Sequence, residues 1–220
     1  MTYVCTQLHT PNMTLADKVT SVRLILAPLF FVFYLLPRFF PSVFAVTPPS
    51  GAEELILVGA PWTVPVLWLL FLSSEVTDLL DGIIARKRGE VSDFGKLFDP
   101  FADTLTQLTY FFCFVIDGIL PPILFLAVMY REFSILLVRN LMLKKGITLG
   151  ARMGGKIKTV TYMLAAGLAL IVSSMVRLGI GGVLYRVFIT SAVIVFIISV
   201  LIAIISFFDY LKQYLKTAKN

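Results

Sequence analysis

Six long apolar runs, separated by shorter polar segments, account for most of the chain. They cover residues 19–36, 55–80, 95–116, 121–143, 157–176 and 183–210. Each run is close to the ~20 residues that a helix needs to cross the core of a bilayer. Pro61 or Pro65 marks the expected start of the second helix, and Asp117-Gly118 predicts a tight turn after the third. We predict an all-α integral membrane protein, a bundle of six transmembrane helices that forms one domain over residues 1–220.

Lysine and arginine residues are concentrated in alternate connections between the runs. With the N-terminus inside, only Arg38, Arg177 and Arg186 lie in the outer regions. The inner regions hold the larger set, namely Lys18, Arg23, Arg86, Lys87, Arg88, Lys96, Arg139, Lys144, Lys145, Arg152, Lys156, Lys158, Lys212, Lys216 and Lys219. Because cytoplasmic connections near membrane spans retain positive charge, we predict that both termini are cytoplasmic. The predicted location is the cell (inner) membrane, where lipids surround a multi-pass protein.

The composition agrees with a membrane protein and argues against other classes. Of the 220 residues, 58% are hydrophobic and 15% are charged, and the mean hydropathy of +0.91 lies outside the usual range of soluble globular proteins. The net charge of +6 comes from basic residues between apolar segments rather than on a polar fold, so we expect no nucleic-acid partner. Cys5 and Cys113 fit neither a disulfide framework nor a metal cluster.

Acidic residues cluster where the second run ends and the third begins. Seven of the 13 acidic residues fall between Glu75 and Asp103. On helices, Asp78 and Asp81 share one face at i, i+3, and Asp99 shares a face with Asp103 at i, i+4. Carboxylates at membrane depth require neutralising partners, and oxygen ligands without His or Cys favour Mg²⁺ or Mn²⁺, commonly together with phosphate oxygens. The cluster therefore predicts a metal site for a substrate that carries phosphate.

Small and basic residues beside the carboxylates fit the same kind of substrate. Gly82 and Gly95 have no side chain, which lets a ligand or a neighbouring helix approach closely. Arg86 can reach a phosphate from the same end of the helix, and Ser92 adds a hydroxyl to the connecting loop. All four are therefore candidates for substrate binding.

The acidic cluster also resembles a family signature. Its eight matching positions extend over 26 residues and read Asp78-x2-Asp81-Gly82-x2-Ala85-Arg86-x8-Gly95-x3-Asp99-x3-Asp103. This pattern matches the signature of the CDP-alcohol phosphotransferases without a gap or substitution, and the six-helix layout resembles that family along nearly the whole chain. The resemblance implies an integral membrane enzyme, usually a homodimer, whose spans surround a polar cavity that opens to the cytoplasm.

The resemblance also implies roles for single residues. It implies that two Mg²⁺ or Mn²⁺ ions are bound by Asp78, Asp81, Asp99 and Asp103. These ions would hold the pyrophosphate of a CDP-linked lipid. Asp103 would in addition act as the general base. The implied CDP-binding residues are Gly82, Arg86, Ser92, Gly95, and Asp17 and Thr20 in the place of the family's N-terminal Asn/Asp-x2-Thr element.

Basic residues in and before the fourth and fifth helices are candidates for binding the acceptor. Arg131 and Arg139 lie eight residues, about two helical turns, apart. Arg152 and Lys156 stand at i, i+4 near the start of the fifth run. Positive charge in one pocket suits a small phosphorylated alcohol. Three elements resemble bacterial phosphatidylglycerophosphate synthases, namely Arg131-Glu132-Phe133, Gly155-Lys156-Ile157-Lys158-Thr159 and Asp99-Pro100-x-Ala102-Asp103.

This second resemblance predicts transfer of a phosphatidyl group from CDP-diacylglycerol to glycerol 3-phosphate, with CMP as the other product. Thr104 and Arg152 depart from the subgroup pattern, which has Lys and Ser there. They leave open an enzyme that transfers from CDP-choline or CDP-ethanolamine to diacylglycerol. A divalent-cation transporter with carboxylates along its ion path is an alternative of another class. At single positions, Arg131 has the alternative of an ion pair with Glu132, and Asp17 that of a helix N-cap.

Overall fold

Helices form all the regular structure in the computed structural model, which describes residues 15–40, 60–88, 93–144 and 153–218. The six helices in these ranges are α1 (Leu15–Phe39), α2 (Thr63–Arg88), α3 (Asp93–Ile116), α4 (Pro122–Lys144), α5 (Met153–Arg177) and α6 (Gly182–Ala218). Each predicted apolar run overlaps one helix. The prediction of an all-helical protein is therefore confirmed.

Two helix ends differ from the limits of the apolar runs. The second run begins at residue 55, but α2 begins at Thr63, whose hydroxyl donates to the carbonyl of Ala60 at 2.7 Å. Residues 55–59 lie outside the described ranges. The sixth run ends at Tyr210, whereas α6 continues to Ala218. Hydropathy marks the part of a helix that is apolar, but Lys and Gln are good helix formers and extend α6 beyond it.

The predicted turn after the third helix is confirmed at Asp117-Gly118. Gly118 has a positive φ of 69°, a conformation that glycine adopts without steric cost. The amide of Ile119 donates to the carbonyl of Phe114 at 2.9 Å, which satisfies a carbonyl at the end of α3. The chain can therefore reverse direction within a few residues and enter α4.

The helices pack in two groups that α3 joins. In one group α1 packs against α2 and α3, and in the other α6 packs against α4 and α5. α3 also contacts α4 and α5, so it lies at the centre of the bundle. Its aromatic rings contact both sides, since Tyr110 lies 4.6 Å from the ring of Phe30 on α1 and Phe111 lies 4.9 Å from that of Phe196 on α6. The site described below depends on this central helix.

The surface of the bundle is that of a membrane protein. Among the residues that the structure describes, three helical segments are long and apolar enough to cross a bilayer, namely Val19–Phe39, Ile157–Arg177 and Gly182–Lys212. Large apolar side chains such as Ile25, Leu69, Ile123 and Ile205 are more than 60% exposed. A bundle with apolar side chains outside and charged ones inside is suited to lipid rather than water.

A buried polar network joins three helices at the end of the bundle that contains the turn. Arg177 is 1% exposed, and its guanidinium donates to Ser173 at 3.3 Å, to Thr63 at 3.0 Å and to the carbonyl of Tyr34 at 3.0 Å. The guanidinium also lies 4.6 Å from the centre of the Tyr34 ring. Tyr34 in turn donates its hydroxyl to Asp117 at 2.5 Å. α1, α2 and α5 are thereby held together through one arginine.

The carboxylate of Asp117 is the acidic partner in this network. It lies 3.5 Å from the guanidinium of Arg38. Burial raises the pKa of Asp117 above its ordinary value, while the hydroxyl of Tyr34 and the positive charges of Arg177 and Arg38 act in the opposite direction. Arg38 and Arg177, which the charge pattern assigns to the outer side, therefore both stabilise the negative charge of one carboxylate.

Candidate active site

An open cavity lies among α1, α2, α3 and α5. Its volume is about 430 Å³ when the open space at its mouth is included. Most of the residues that line it carry polar or charged groups, namely Arg23, Ser74, Glu75, Asp78, Asp103, Thr106, Gln107, Tyr110, Thr159 and Tyr162. A cavity of this kind inside an apolar bundle is the natural place for polar chemistry.

Helical periodicity explains why these side chains meet. On α3, Asp103, Thr106, Gln107 and Tyr110 stand at i, i+3, i+4 and i+7, which places them on one face of the helix. The cavity-lining residues of α5 have the same spacing, at Thr159, Tyr162, Met163 and Ala166. Because α3 packs against α5, the two polar faces enclose one space.

Two carboxylates from different helices meet at one arginine. Nη1 of Arg23 on α1 contacts Oδ1 of Asp78 on α2 and Oδ1 of Asp103 on α3. Arg23 is 2% exposed, whereas the side chains of Asp78 and Asp103 are 41% and 40% exposed. The positive charge therefore lies in the wall, and the carboxylates face the cavity.

A third predicted ligand, Asp99, lies one turn before Asp103 on α3 and is bound to α1. The hydroxyl of Thr20 donates to Oδ1 of Asp99 at 2.8 Å, and Thr20 is fully buried. Gly95, one turn earlier on α3, is also buried. Thr20 and Arg23 stand at i, i+3 on α1, so one face of α1 contacts the acidic residues of both α2 and α3.

Several predicted site residues have no described side chain. Asp17, Asp81, Gly82, Arg86 and Lys156 lie within helices whose side chains are not described at these positions, and Ser92 and Arg152 lie outside the described ranges. Among the described side chains, no three of His, Cys, Asp or Glu are placed to hold a metal ion. Asp81, which stands at i+3 from Asp78, is not among the described side chains. The set of four metal-binding carboxylates therefore stays a prediction.

Arg131 of the predicted acceptor site is part of a buried ion-pair group. Its guanidinium donates to Glu132 at 2.8 Å and to the carbonyl of Ala203 on α6 at 3.0 Å. Lys158 of α5 donates to the same Glu132 oxygen at 2.9 Å. Arg131 is 7% exposed and does not line the cavity described above. The ion pair with Glu132 is thus observed, and acceptor binding by Arg131 stays a prediction.

Arg139 of the predicted acceptor site also contacts α6. Its guanidinium lies 5.7 Å from the centre of the Tyr210 ring. Arg131 and Arg139 thus both point from α4 towards α6, as two residues about two turns apart should. Spacing along one helix predicts this shared face but does not say which neighbouring helix the face meets.

Three functional candidates have a role that the family motif does not reveal. From the sequence, Arg23 counts only as an inner-side charge and Glu75 only as part of the acidic cluster. Lys158 belongs to the element at residues 155–159 but has no role assigned to it. In the structure Arg23 and Glu75 line the cavity, and Lys158 lies 4.5 Å from the ring of Tyr162, which also lines it. A charged residue inside an apolar run is by default a functional candidate, and this signal was present at Arg23.

Three buried hydroxyls in the cavity wall make no hydrogen bond of normal geometry to a described residue, although Ser74 and Glu132 are close enough to interact with two of them. They belong to Thr106, Tyr110 and Tyr162, which are 5%, 1% and 1% exposed. An unsatisfied buried hydroxyl costs about 1–3 kcal/mol, so a bound molecule or water that pairs with them would stabilise the site. The cavity therefore suits a ligand that itself carries hydroxyl or other polar groups.

The fold and the cavity define a helical membrane protein with acidic residues of two helices at a polar site. A sequence model described as CDP-alcohol phosphatidyltransferase matches residues 13–205. The chain therefore belongs to the CDP-alcohol phosphatidyltransferase family, and the resemblance seen in the motif is confirmed.

Named bacterial proteins are similar over most of the chain. A CDP-diacylglycerol–glycerol-3-phosphate 3-phosphatidyltransferase of Treponema pallidum (strain Nichols) is 35% identical, over 94% of this chain and 92% of that protein. A Bacillus subtilis (strain 168) protein of the same name is 30% identical, over 71% of this chain and 76% of its own length. A probable phosphatidylglycerophosphate synthase of Mycobacterium tuberculosis (strain ATCC 25618 / H37Rv) is 27% identical, over 92% and 82% respectively.

Proposed function

We propose that this protein transfers a phosphatidyl group from CDP-diacylglycerol to glycerol 3-phosphate and releases CMP. The observation that carries this proposal is the meeting of Asp78 and Asp103 at one cavity, in a chain that belongs to the CDP-alcohol phosphatidyltransferase family. The names of the relatives support the choice of donor and acceptor.

The site fits Mg²⁺ or Mn²⁺. One cationic nitrogen already contacts an oxygen of both Asp78 and Asp103, so the gap between these carboxylates accommodates positive charge. The oxygen-only donor set favours hard cations. In the proposal Asp78, Asp81, Asp99 and Asp103 hold two ions, whose chemistry is to neutralise the pyrophosphate and stabilise the CMP that leaves.

Asp103 is the proposed general base. Its carboxylate faces the cavity, one turn from Thr106 and two turns from Tyr110 on the same face of α3. An acceptor hydroxyl in the cavity loses its proton to Asp103 and attacks the β-phosphorus in line. A new oxygen–phosphorus bond to the acceptor forms as the bond to CMP breaks. The hydroxyl of Thr20 donates a hydrogen bond that holds the Asp99 carboxylate in position during this reaction.

The membrane arrangement belongs to the same proposal. All six helices cross the bilayer, the cavity opens to the cytoplasm, both termini are cytoplasmic and two copies form a homodimer. α2, α3 and α4 are 26, 24 and 23 residues long, which at 1.5 Å per residue is enough to span the hydrocarbon core. Their charged residues at the cavity face other helices rather than lipid, as intramembrane charges do.

The experiment that tests the reaction uses purified protein in detergent with Mg²⁺ and radiolabelled glycerol 3-phosphate. We expect the label to enter lipid only when CDP-diacylglycerol is present, with one CMP released for each label incorporated. Incorporation from CDP-choline into diacylglycerol, without use of glycerol 3-phosphate, would contradict the proposal. Flux of divalent cations without nucleotide turnover would instead support a transporter.

Replacement of Arg139 or Lys156 by alanine is expected to raise the KM for glycerol 3-phosphate several-fold, with a smaller change in kcat. The reason is loss of a positive charge that binds the acceptor phosphate. Initial rates of CMP release at varied acceptor concentration measure this effect. Lys212→Ala is the matched control, because Lys212 is an exposed lysine on α6. An acceptor KM equal to that of the unaltered protein would show that the tested residue does not bind the acceptor.

Tyr162→Phe is expected to raise the KM for glycerol 3-phosphate by about 2–10-fold. The change removes the buried hydroxyl of a residue that lines the cavity, and a typical hydrogen bond contributes about 0.5–1.5 kcal/mol. The KM for CDP-diacylglycerol should change less. Tyr130→Phe serves as control, since Tyr130 is an exposed tyrosine on α4 that does not line the cavity. Equal acceptor KM values for the two variants would show that the Tyr162 hydroxyl does not bind the acceptor.

A further inference from the structure

Arg23 contacts the two described carboxylates that the proposed function assigns to both metal binding and the cavity. Its Nη1 atom contacts one oxygen of Asp78 and one oxygen of Asp103. In the proposed function these two carboxylates bind divalent cations. A guanidinium nitrogen and a metal ion cannot both lie in one gap, so the two cations compete for the same oxygens.

Charge makes this competition unequal. The single positive charge of Arg23 balances one of the two negative charges of Asp78 and Asp103, whereas a divalent cation balances both. The carboxylates are about two-fifths exposed to the cavity, so a cation can reach them from solvent without unfolding the bundle. Arg23 also lines that cavity, so its guanidinium lies beside the space that a cation or a substrate would enter.

We propose that the Arg23 guanidinium and a divalent cation are alternative partners of the Asp78–Asp103 carboxylate pair. Binding of the cation releases the guanidinium into the cavity, where it binds a phosphate group of the CDP-linked substrate. This inference rests on the proposed function for its metal and its nucleotide. Arginine is suited to both states, because its planar fork pairs equally with carboxylate and with phosphate.

Two consequences follow for the protein. Without metal, Arg23 neutralises part of the negative charge inside the bundle, which lets the carboxylates stay close together. With metal, the same arginine adds one positive charge to the cavity at the time when the negatively charged pyrophosphate binds. The cation therefore prepares the cavity for the nucleotide, and metal should bind before the CDP-linked substrate.

Chemical labelling of the unaltered protein tests the release of Arg23. Phenylglyoxal, which modifies accessible arginines, is applied with and without Mn²⁺, and the extent of modification at each arginine is read by mass spectrometry. We expect Mn²⁺ to raise modification of Arg23 several-fold and CDP-diacylglycerol to lower it again. Arg38 is the internal reference, since it lies on the same helix and pairs with Asp117 away from the cavity. Equal modification of Arg23 with and without Mn²⁺ would overturn the proposal.

Mn²⁺ binding to Arg23→Gln, followed by electron paramagnetic resonance without nucleotide, tests the competition. We expect affinity about tenfold higher than in the unaltered protein and no change in Arg38→Gln. The variant should also unfold at a lower temperature in EDTA, with the difference closing at saturating Mn²⁺. Arg23→Lys, which keeps the charge but not the fork, should bind Mn²⁺ with intermediate affinity, and it replaces the glutamine variant if that one does not fold.

The outcomes separate this inference from the proposed function. Unchanged Mn²⁺ affinity in both Arg23 variants, or a stability difference that persists at saturating Mn²⁺, would overturn the exchange. If the unaltered protein then still releases CMP with Mg²⁺ and glycerol 3-phosphate, the proposed function stands alone. If Mn²⁺ binding rises as expected but no CMP is released, the exchange stands and the proposed reaction falls.

Discussion

Asp103→Asn is expected to lower kcat by at least about a thousandfold, while binding of the CDP-linked lipid survives in part. Loss of a general base alone typically costs 10²- to 10⁴-fold, and asparagine is also a poorer ligand for a hard cation because it has no charge. Substrate binding should persist in part, because Asp78 and Thr20 belong to other helices and are unaltered. CMP release at saturating substrate and Mg²⁺ measures the rate, and binding of labelled CDP-diacylglycerol measures affinity.

The control for this variant is Asp209→Asn. Asp209 is an exposed aspartate on α6, so the same chemical change there should leave turnover within about twofold of normal, as surface substitutions usually do. Near-normal turnover by Asp103→Asn would refute the assignment of the general base. If Asp103→Asn lost thermal stability as well as turnover, the result would show instead that the carboxylate is needed for the fold.

Arg177→Ala is expected to have the largest effect on stability. Three nitrogens of Arg177 donate to Ser173, Thr63 and Tyr34, and its guanidinium stacks on the Tyr34 ring. Breaking such a buried charged group costs about 3–5 kcal/mol, because its partners lose their hydrogen bonds and Asp117 loses a nearby positive charge. For a chain of this size that corresponds to a fall in Tm of roughly 10 °C.

Thermal unfolding in detergent, monitored by circular dichroism, measures the effect of Arg177→Ala. Arg186→Ala is the matched control, because Arg186 is exposed near the start of α6, and it should unfold within about 2 °C of the unaltered protein. A Tm for Arg177→Ala that equals that of the control would show that the network contributes little. The Tm of Arg177→Lys should lie between the Tm values of Arg177→Ala and the unaltered protein, since lysine keeps the charge but cannot bond three partners in one plane.

Much of the fold follows from hydropathy, since each of the six apolar runs overlaps one of the described helices. Helix ends follow less well, because they depend on local hydrogen bonds. α2 begins at Thr63, between Pro61 and Pro65 where the sequence places its start, and the Thr63–Ala60 hydrogen bond fixes the exact residue. α6 extends past Tyr210 since polar helix formers continue it after the apolar part has ended.

Less of the candidate site could be predicted. Spacing within one helix determines which residues share a face, so Asp99 and Asp103 were correctly placed one turn apart on α3. Spacing does not determine which helix that face meets. For this reason the contact of Arg23 with Asp78 and Asp103 was not foreseen, and the direction of Arg131 towards α6 was not foreseen either. Contacts between helices depend on how the whole bundle packs.

The most direct test of the account is the position of bound metal. Crystals of the protein grown with Mn²⁺ and CDP-diacylglycerol would be measured at a wavelength at which manganese scatters anomalously. We predict two anomalous peaks between α2 and α3, each about 2–2.5 Å from carboxylate oxygens of Asp78, Asp81, Asp99 or Asp103, with the pyrophosphate bound to both. Absence of peaks there, or manganese bound elsewhere while the carboxylates keep Arg23 as their partner, would contradict the account.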